Sequence, residues 1–443
     1  MTIDRHRLYT LARRLVGITA LVAGCSDREG GVDPIGGSSG LPSDASLEDV
    51  ASPDSGLDDG RADADARDAA FDAAPFDCPS GSTLRRTRAA CPGAPLVPPP
   101  GLTASLAAAA PGDVVSMAGM AESNAPCLPV VVCTPAGAPS LLFSDSPESP
   151  SRDGVLYADS VPAGNYRLYV YHTNGGTSLR KFPVLALNPG PLPAEITIVR
   201  RGLAAPSTAY VSVGKTVLLD WLVDRPAAIV TVPPGARVLL DAALDQLHAS
   251  KNELVHAIYD VKTDRALKLS FVSVAANADA AAAASGLSLL ARDVDHQRGT
   301  FPAADVLVAL ATVPGGAQKA GVQRLRLGLD QVDETLEGVD APTGAKQKLS
   351  GNYGMLYRFA LGTAAGTRMA VSPRGGGWGG VAKLVPGAAA GGASSTLALP
   401  TASEALATTT DAIVIGGVST ATEMRMLSAG GSNLPIDLFL VTP

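Results

Sequence analysis

Short apolar segments rich in β-branched and aromatic residues recur along the chain from about residue 141 onward, separated by glycine and proline. Residues 155–157 and 166–171 are followed by a turn signal at 174–176 and by apolar residues 182–187, which predicts a hairpin with a longer loop. Similar patterns predict further strands over residues 195–199, 209–213, 216–222, 228–232, 237–240, 254–261 and 267–274. Strands this short and this closely spaced are typical of a β-sandwich.

The second half of the chain shows the same pattern after one helical interruption. Residues 279–292 are rich in alanine and leucine and follow Asn277 and Asp279 as candidate caps, so they predict a helix. More strands are predicted over residues 306–311, 323–329, 354–361, 367–371, 412–415 and 436–440. We therefore predict a mainly β protein with two β-sandwich-like domains in tandem.

The first 24 residues are typical of an export signal. Arg13 and Arg14 precede the apolar residues 15–23, which at about 1.5 Å per residue are too short to cross a hydrocarbon core of roughly 30 Å. A basic start followed by a short apolar run indicates a secretory signal peptide. The run ends in LVAGC at 21–25, which resembles the bacterial lipobox, and the resemblance implies cleavage before Cys25 and acylation of its thiol. An ordinary signal peptide with a chance cysteine is the alternative.

A lipidated Cys25 would make the membrane the first partner of the protein, because two or three acyl chains anchor far more stably than one. The next residue is Ser26, whereas an aspartate at that place commonly retains lipoproteins of double-membrane bacteria at the inner membrane. We therefore expect a lipid-anchored protein of the cell outer membrane, on either its periplasmic or its surface-exposed side. No other stretch approaches 18 continuous apolar residues, so no transmembrane helix is predicted.

The negative charge of the chain is concentrated in the segment that follows the predicted signal peptide. Residues 26–77 carry 14 carboxylates against three arginines and have few apolar residues, which predicts a disordered acidic tether. The whole chain has a net charge of −7 and a pI of about 5.3, which argues against a nucleic-acid partner because such proteins carry a basic surface. The 47 glycines and 34 prolines argue against a helical bundle.

Four cysteines remain after Cys25. An even number behind an export signal favours two disulfides among the candidates Cys78, Cys91, Cys127 and Cys133. Three pairings are open, and we favour the local one, which joins the first cysteine to the second and the third to the fourth.

These patterns divide the chain into six parts. They are a lipoprotein signal peptide (1–24), a disordered acidic tether (25–77), a disulfide-containing segment (78–140), a first β-sandwich-like domain (141–276), a helical or loop connector (277–300) and a second β-rich domain (301–443).

Residues that carry recognisable chemistry are sparse. Asp293, Asp295 and His296 form the densest cluster, and strand-like alternation would place the two carboxylates on one face where they could hold a cation. A solvated loop is the alternative, and we favour it. The sequence has no GxSxG elbow and no HExxH metal motif. We therefore predict no catalytic residue, metal or cofactor.

Residues 375–380, GGGWGG, predict a flexible hairpin tip that displays Trp378. An exposed tryptophan can stack on a sugar or anchor a partner protein. Tyr353, Tyr357 and Arg358 would extend this candidate ligand surface, although tyrosine pairs on strands also serve as cross-strand packing.

Residues 140–385 resemble an uncharacterised family of exported bacterial proteins. The resemblance depends on short motifs in a shared order, namely LFSDSPE at 142–148, DGVLY at 153–157, NPG at 188–190, PST at 206–208 with Tyr210 and Gly214, PG at 234–235, RGTF at 298–301, GNYG at 351–354 and PRGG at 373–376. It implies an exported β-rich module and assigns no catalytic residue. The lipobox and the acidic tether depart from the family pattern.

The sequence therefore favours a non-catalytic cell-envelope lipoprotein that acts as a binding or structural module, with a glycan or an envelope protein as ligand. A secreted hydrolase whose site residues meet only in the folded chain is the alternative. A cleft with two close carboxylates, or a serine and a histidine in hydrogen-bond reach, would favour the enzyme.

Overall fold

The computed structural model describes residues 78–443, except residues 79, 89–95, 119–126, 129, 311–319, 329–332, 334, 361–365, 387–392 and 418–421. The predicted signal peptide, the predicted lipidation site Cys25, the predicted acidic tether and Cys91 lie outside the described residues. No helix in the described part of the chain is long and apolar enough to cross a membrane.

The described residues form mainly strands. The strands are β1 (Ser82–Arg88), β2 (Val114–Ser116), β3 (Val130–Pro135), β4 (Ser140–Ser144), β5 (Gly154–Val161), β6 (Gly164–Thr173), β7 (Arg180–Lys181), β8 (Val184–Leu187), β9 (Ala194–Leu203), β10 (Ala228–Val232), β11 (Arg237–Leu239), β12 (Leu254–Thr263), β13 (Leu267–Ala275), β14 (Arg298–Phe301), β15 (Asp305–Leu310), β16 (Gly321–Leu327), β17 (Glu337–Asp340), β18 (Ala345–Lys348), β19 (Leu356–Ala360), β20 (Arg368–Pro373), β21 (Gly380–Pro386), β22 (Ser395–Leu399), β23 (Asp411–Gly417), β24 (Thr422–Ser428) and β25 (Ile436–Thr442). The helices are α1 (Leu102–Ala108), α2 (Tyr210–Trp221), α3 (Ala242–Asp245) and α4 (Ala280–Ala283). The predicted mainly β class is confirmed.

The first sandwich pairs an eight-stranded sheet with a five-stranded sheet. The larger sheet has the order β10-β9-β12-β6-β4-β14-β17-β18, and the smaller has the order β11-β8-β13-β5 with β7 beside β13. Leu168 and Val170 of β6 belong to the core between these sheets. Tyr169 and Tyr171 of the same strand belong to a second core on the opposite face. The larger sheet is therefore buried on both faces, which explains its nearly continuous apolar strands.

The second sandwich pairs a seven-stranded sheet with another five-stranded sheet. Their orders are β1-β3-β15-β19-β24-β21-β22 and β16-β25-β20-β23-β2. The last strand, β25, pairs with β16 and β20 inside its sheet, as its apolar sequence leads one to expect.

The strands of the two sandwiches are interleaved along the sequence. β1, β2 and β3 come from the predicted disulfide-containing segment, yet they pair in the sheets of the second sandwich. β17 and β18 come from the predicted second domain, yet they extend the large sheet of the first sandwich through β14. The sheets therefore cross the boundaries drawn at residues 140 and 300.

The prediction of two strands over 209–213 and 216–222 is wrong, because this segment forms helix α2. Its β-branched residues favour a strand locally. At helical spacing, however, Val213, Val217 and Trp221 lie on one face and are buried. Burial of this apolar face outweighs local strand preference. The helix predicted over 279–292 is likewise shorter, since α4 ends at Ala283 and Leu289 forms a bridge to Val155.

The favoured local disulfide pairing is also wrong. Cys78 is bonded to Cys133, with Cα atoms 5.9 Å apart and a sequence separation of 55, and Cys127 is disulfide-bonded as well. Cys133 lies on β3, which pairs with β1 just after Cys78. Because each doubling of a closed loop adds only about 0.6 kcal/mol of chain entropy, strand pairing decides the partner.

A buried arginine joins the two sandwiches. The guanidinium of Arg167, on β6, lies 2.8 Å from the carboxylate of Asp260 on β12 and 2.8 Å from that of Asp305 on β15. It also donates to the carbonyl of Gly354 at 2.9 Å and lies over the Trp221 ring at 4.7 Å. Asp260 belongs to the first sandwich and Asp305 to the second, so one cation pairs with both.

We expect Arg167→Leu to lower the free energy of unfolding by about 3–5 kcal/mol, because it leaves Asp305 without its buried counter-ion and Asp260 with only the partly exposed Arg200, 3.6 Å away. The midpoint of urea unfolding measures the change. Arg265→Leu is the matched control, since Arg265 is 49% exposed and lies 3.8 Å from Asp264, a pair worth about 0–1 kcal/mol. Equal losses for the two variants would contradict this account of the junction.

Candidate functional site

Two neighbouring parallel strands bring the candidate site together. β4 pairs with β6 in parallel, so both strands end at the same edge of the large sheet. Asp145 and Glu148 follow the end of β4, and Tyr169 and Tyr171 lie near the end of β6. The turn between β24 and β25 in the second sandwich meets this edge, as shown below.

A cavity of about 210 Å³ lies at this meeting point, and we call it the Asp145 cavity. Its lining is aromatic and acidic, with contributions from both sandwiches. The lining residues are Phe143, Asp145, Glu148, Tyr169, Tyr171, His296, Tyr353, Gly430, Gly431, Ser432 and Asn433.

The carboxylate of Asp145 is poorly compensated. Its Oδ1 atom is buried and has no hydrogen-bond partner among the described residues. Burial raises the pKa of this carboxyl well above its ordinary value, and repulsion by Glu148 and Asp293 raises it further. An acid in this state either stays protonated or requires a positive partner.

His296 bridges two carboxylates at the edge of the cavity. Its Nε2 lies 3.1 Å from Oε2 of Glu148, and its Nδ1 lies 3.0 Å from Oδ1 of Asp293. Burial opposes ionisation of Asp293, but hydrogen bonds from the amides of Glu148 and His296 lower its pKa. Burial raises the pKa of Glu148, and the attraction of His296 partly offsets this effect. The imidazole of His296 therefore contacts the carboxylates of Glu148 and Asp293 rather than that of Asp145.

Stacked rings hold the tyrosines in place. The Tyr169 ring lies 4.7 Å from that of Phe143 and 4.6 Å from that of His256, measured between centroids. The hydroxyls of Tyr169 and Tyr171 make no hydrogen bond within the described residues, whereas Tyr353 donates to the carbonyl of Ser432. Burial raises the pKa of the Tyr353 hydroxyl to about 12, with repulsion by Asp145 adding to it. The tyrosines therefore stay neutral.

A glycine lets the second sandwich approach these rings. A Cβ atom at Gly430 would lie 2.9 Å from the Tyr169 hydroxyl and closer still to the Tyr171 ring. The hydroxyl of Ser432 fixes the same turn, because it donates to the Gly379 carbonyl at 2.7 Å and accepts from the Gly379 amide at 3.1 Å. The cavity wall is thus held to the glycine-rich segment 375–380.

The interpretation of that segment as an exposed ligand platform is wrong. Trp378 is fully buried, and its indole nitrogen donates to Ser428 at 3.0 Å. Tyr357 is also buried, where its hydroxyl contacts Asp333 and Asn352. The apolar surface of an indole is more stable inside the sandwich than in water, and the flanking glycines allow close packing. Trp378 therefore belongs to the hydrophobic core instead of displaying a surface.

Of the other two residues predicted for the ligand surface, one forms an ion pair and the other lines the Asp145 cavity. Arg358 is partly buried and paired with Glu423 at 2.7 Å. Tyr353 lines the Asp145 cavity, so one of the four predicted ligand-surface residues reaches a candidate site.

The structure separates the three candidate metal ligands. Asp293 contacts His296, whereas Asp295 is exposed and lines no part of the Asp145 cavity. No group of three or more acidic, histidine or cysteine side chains in the described ranges is placed to hold a metal ion.

A serine and a histidine do lie in hydrogen-bond reach next to the cavity. Ser144 Oγ and His172 Nε2 are 2.9 Å apart, and Nδ1 of His172 lies 3.0 Å from the carbonyl of Pro147. Both side chains are fully buried, and burial lowers the pKa of His172 to about 3. A substrate has no access to this pair, so its role is structural.

No protein-family model matches the chain, and no curated protein matches it. Among solved structures, the vicilin of hazelnut (Corylus avellana) shares 9% identity over 68% of this chain and 86% of its own, with a TM-score of 0.12. The oxalate decarboxylase of Lactobacillus farciminis, as a formate complex, shares 10% identity over 69% of this chain and 86% of its own, with a TM-score of 0.10.

We expect Asp145→Asn to raise the unfolding temperature at neutral pH. The folded-state pKa of Asp145 is raised above the ordinary value of 3.8. The stability that this carboxyl contributes to the protein is therefore complete below pH 3.8 and is lost as pH rises through the folded-state pKa. A neutral amide avoids this loss. The gain should therefore be small near pH 3.5 and should grow toward pH 8, as followed by circular dichroism.

The control is Asp295→Asn, which removes an exposed carboxylate two residues from Asp293. A gain for Asp145→Asn that is the same at every pH, or a matching gain for the control, would contradict the assigned environment of Asp145.

Proposed function

We propose that this protein is a non-catalytic lipoprotein of the cell outer membrane that binds a ligand in the Asp145 cavity. The observation that carries the binding role is the buried Oδ1 of Asp145, which has no hydrogen-bond partner among the described residues and belongs to a residue that lines a cavity with three tyrosines. A folded protein normally satisfies buried polar groups, and an exception in a cavity is typical of a binding site.

Sequence features support the anchoring part of the proposal. The lipobox-like LVAGC at 21–25 stands in front of the long acidic tether. The bond between Cys78 and Cys133 also fits a chain that is exported from the reducing cytosol, where disulfides are rare. The partners we propose are the membrane, through the lipid, and a glycan or an envelope protein, through the cavity.

We expect Cys25→Ser to move the protein from the membrane fraction to the soluble fraction, because the thiol that accepts the lipid is lost. Cell fractionation and intact-mass spectrometry of the protein from its host measure the outcome. An unmodified thiol at Cys25 in the wild-type protein would contradict the lipid anchor.

For the binding role, we expect the full-length protein in detergent to bind glycans on an array and Asn433→Trp to lose that binding at least tenfold. Asn433 is exposed and lines the cavity, so an indole there obstructs the opening without disturbing a core. Asn277→Trp is the matched control at another exposed asparagine outside the cavity.

Two results would count against the binding role. One is binding that Asn433→Trp leaves unchanged, and the other is an array on which neither the wild type nor the control binds anything.

A hydrolase is the second candidate, because Asp145 and Glu148 share one cavity and both have raised pKa values. A carboxyl that stays protonated at neutral pH can act as a general acid. The same array separates the two functions, since an enzyme would shorten the bound glycan and Asp145→Asn would stop the cleavage.

A further inference from the structure

We propose that the Asp145 cavity takes a primary ammonium group, the protonated amine of its ligand. This inference rests on the proposed binding function and names the chemistry of that same site. The observation behind it is the excess of acidic over basic side chains around the cavity, together with the unpartnered Oδ1 of Asp145.

The acceptors come from two side-chain types. Asp145 offers an unpartnered carboxylate oxygen, and Glu148 adds a second carboxylate. Tyr169 and Tyr171 line the same cavity, and each carries a hydroxyl that can accept as well as donate a hydrogen bond. No lysine or arginine belongs to the lining of the Asp145 cavity. A ligand that supplies several donors on one atom fits this arrangement, and an ammonium group has three.

The local charges agree with a cationic ligand. Asp145 is repelled by Glu148 and Asp293, and the imidazole of His296 contacts the latter two. Of the nearby cations, Arg298 is buried and paired with Asp340 at 3.2 Å. Arg292 donates to the carbonyl of His296 at 3.3 Å. The remaining titratable neighbours are tyrosines, including Tyr353 and Tyr210, whose pKa values burial raises, and the buried His172 and His256, whose pKa values burial lowers to about 3 and about 4.

Other ligand classes fit less well. A metal ion needs several convergent ligands, and the described side chains offer no such group here. A quaternary ammonium has no N–H donor and would leave Oδ1 of Asp145 unpaired. A neutral sugar would leave the repulsion between the carboxylates unchanged. The volume of about 210 Å³ is below the roughly 300–1,000 Å³ of whole-ligand sites, so the cavity suits the amine end of a larger molecule.

Two sources supply this chemistry, namely an amino sugar and an alkylamine such as a lysine side chain. Isothermal titration of the full-length protein in detergent near pH 7 separates them. The ligands are glucosamine, its uncharged partner N-acetylglucosamine, n-butylamine and tetramethylammonium. Binding of glucosamine alone indicates an amino sugar as the ligand, and binding of n-butylamine alone indicates an alkylamine. Binding of both compounds indicates that the shared ammonium group is what the cavity recognises. Each of these outcomes supports the proposal.

We expect Asp145→Asn to weaken binding roughly tenfold or more, because hydrogen bonds to charged groups contribute about 1.5–3 kcal/mol. Asp295→Asn should leave binding unchanged. Tyr171→Phe keeps the ring and removes one acceptor, so a several-fold loss is expected there; this variant keeps the test valid if Asp145→Asn does not fold. Binding of n-butylamine should also release a proton and strengthen as pH rises toward the raised folded-state pKa of Asp145, because the ligand favours the ionised form of this carboxyl.

Three results overturn the ammonium inference. They are N-acetylglucosamine binding as tightly as glucosamine, amine binding that both Asp145→Asn and Tyr171→Phe leave unchanged, and no amine binding at all. If neutral glycans still bind and Asn433→Trp removes that binding, the proposed function stands without the ammonium inference. If Asn433→Trp changes no binding, the proposed function fails.

Discussion

The buried guanidinium of Arg167 fixes the place where the two sandwiches meet. It pairs with Asp260 in the large sheet of the first sandwich and with Asp305 in the second. Removal of one member of this buried cluster would leave the remaining charges poorly compensated in an apolar environment, which costs several kcal/mol. Tyr169 lies two residues along the same strand. The ion pair that joins the sandwiches therefore also fixes the strand that lines the cavity.

The double burial of the eight-stranded sheet explains why the site draws on distant parts of the chain. One face of β6 packs against the smaller sheet of its own sandwich, so the other face is free to meet the second sandwich. Along that face the aromatic side chains run toward the end of the strand. At this end the turn at 430–433 meets them, because glycine at Gly430 leaves room for the tyrosine rings. The cavity is therefore a property of the junction and of neither sandwich alone.

Much of the strand content can be predicted from the sequence, because alternating and continuous apolar runs report burial directly. Helix α2 could not be predicted in this way, because its valines favour a strand locally and only the tertiary packing of one face stabilises the helix. Trp378 was misplaced for a related reason: glycines suggest an exposed tip, although they equally permit dense packing around an indole. The strands of the two sandwiches alternate along the sequence, and this arrangement depends on long-range pairing that a local sequence pattern does not reveal.

The candidate site was predicted in fragments. The sequence indicates His296 and Asp293 as a cluster and Tyr353 as a surface residue, but no sequence pattern shows that these residues lie close together. Asp145 and Glu148 are not among the predicted site residues, although carboxylates directly after a strongly apolar strand are a usable signal. Their significance depends on the parallel pairing of β4 with β6, which local periodicity does not reveal.

The contrast between neighbouring residues gives the strongest reason to regard the cavity as functional. Ser144 and His172 are fully buried and hydrogen-bonded to each other, and the histidine also contacts a backbone carbonyl. Asp145 is the next residue after Ser144, and one of its oxygens has no such partner. The same segment therefore satisfies one buried polar group and leaves the adjacent one unsatisfied. Because an uncompensated carboxylate destabilises the folded state, its place in a cavity with tyrosine hydroxyls is most simply explained by a ligand that supplies the missing donors.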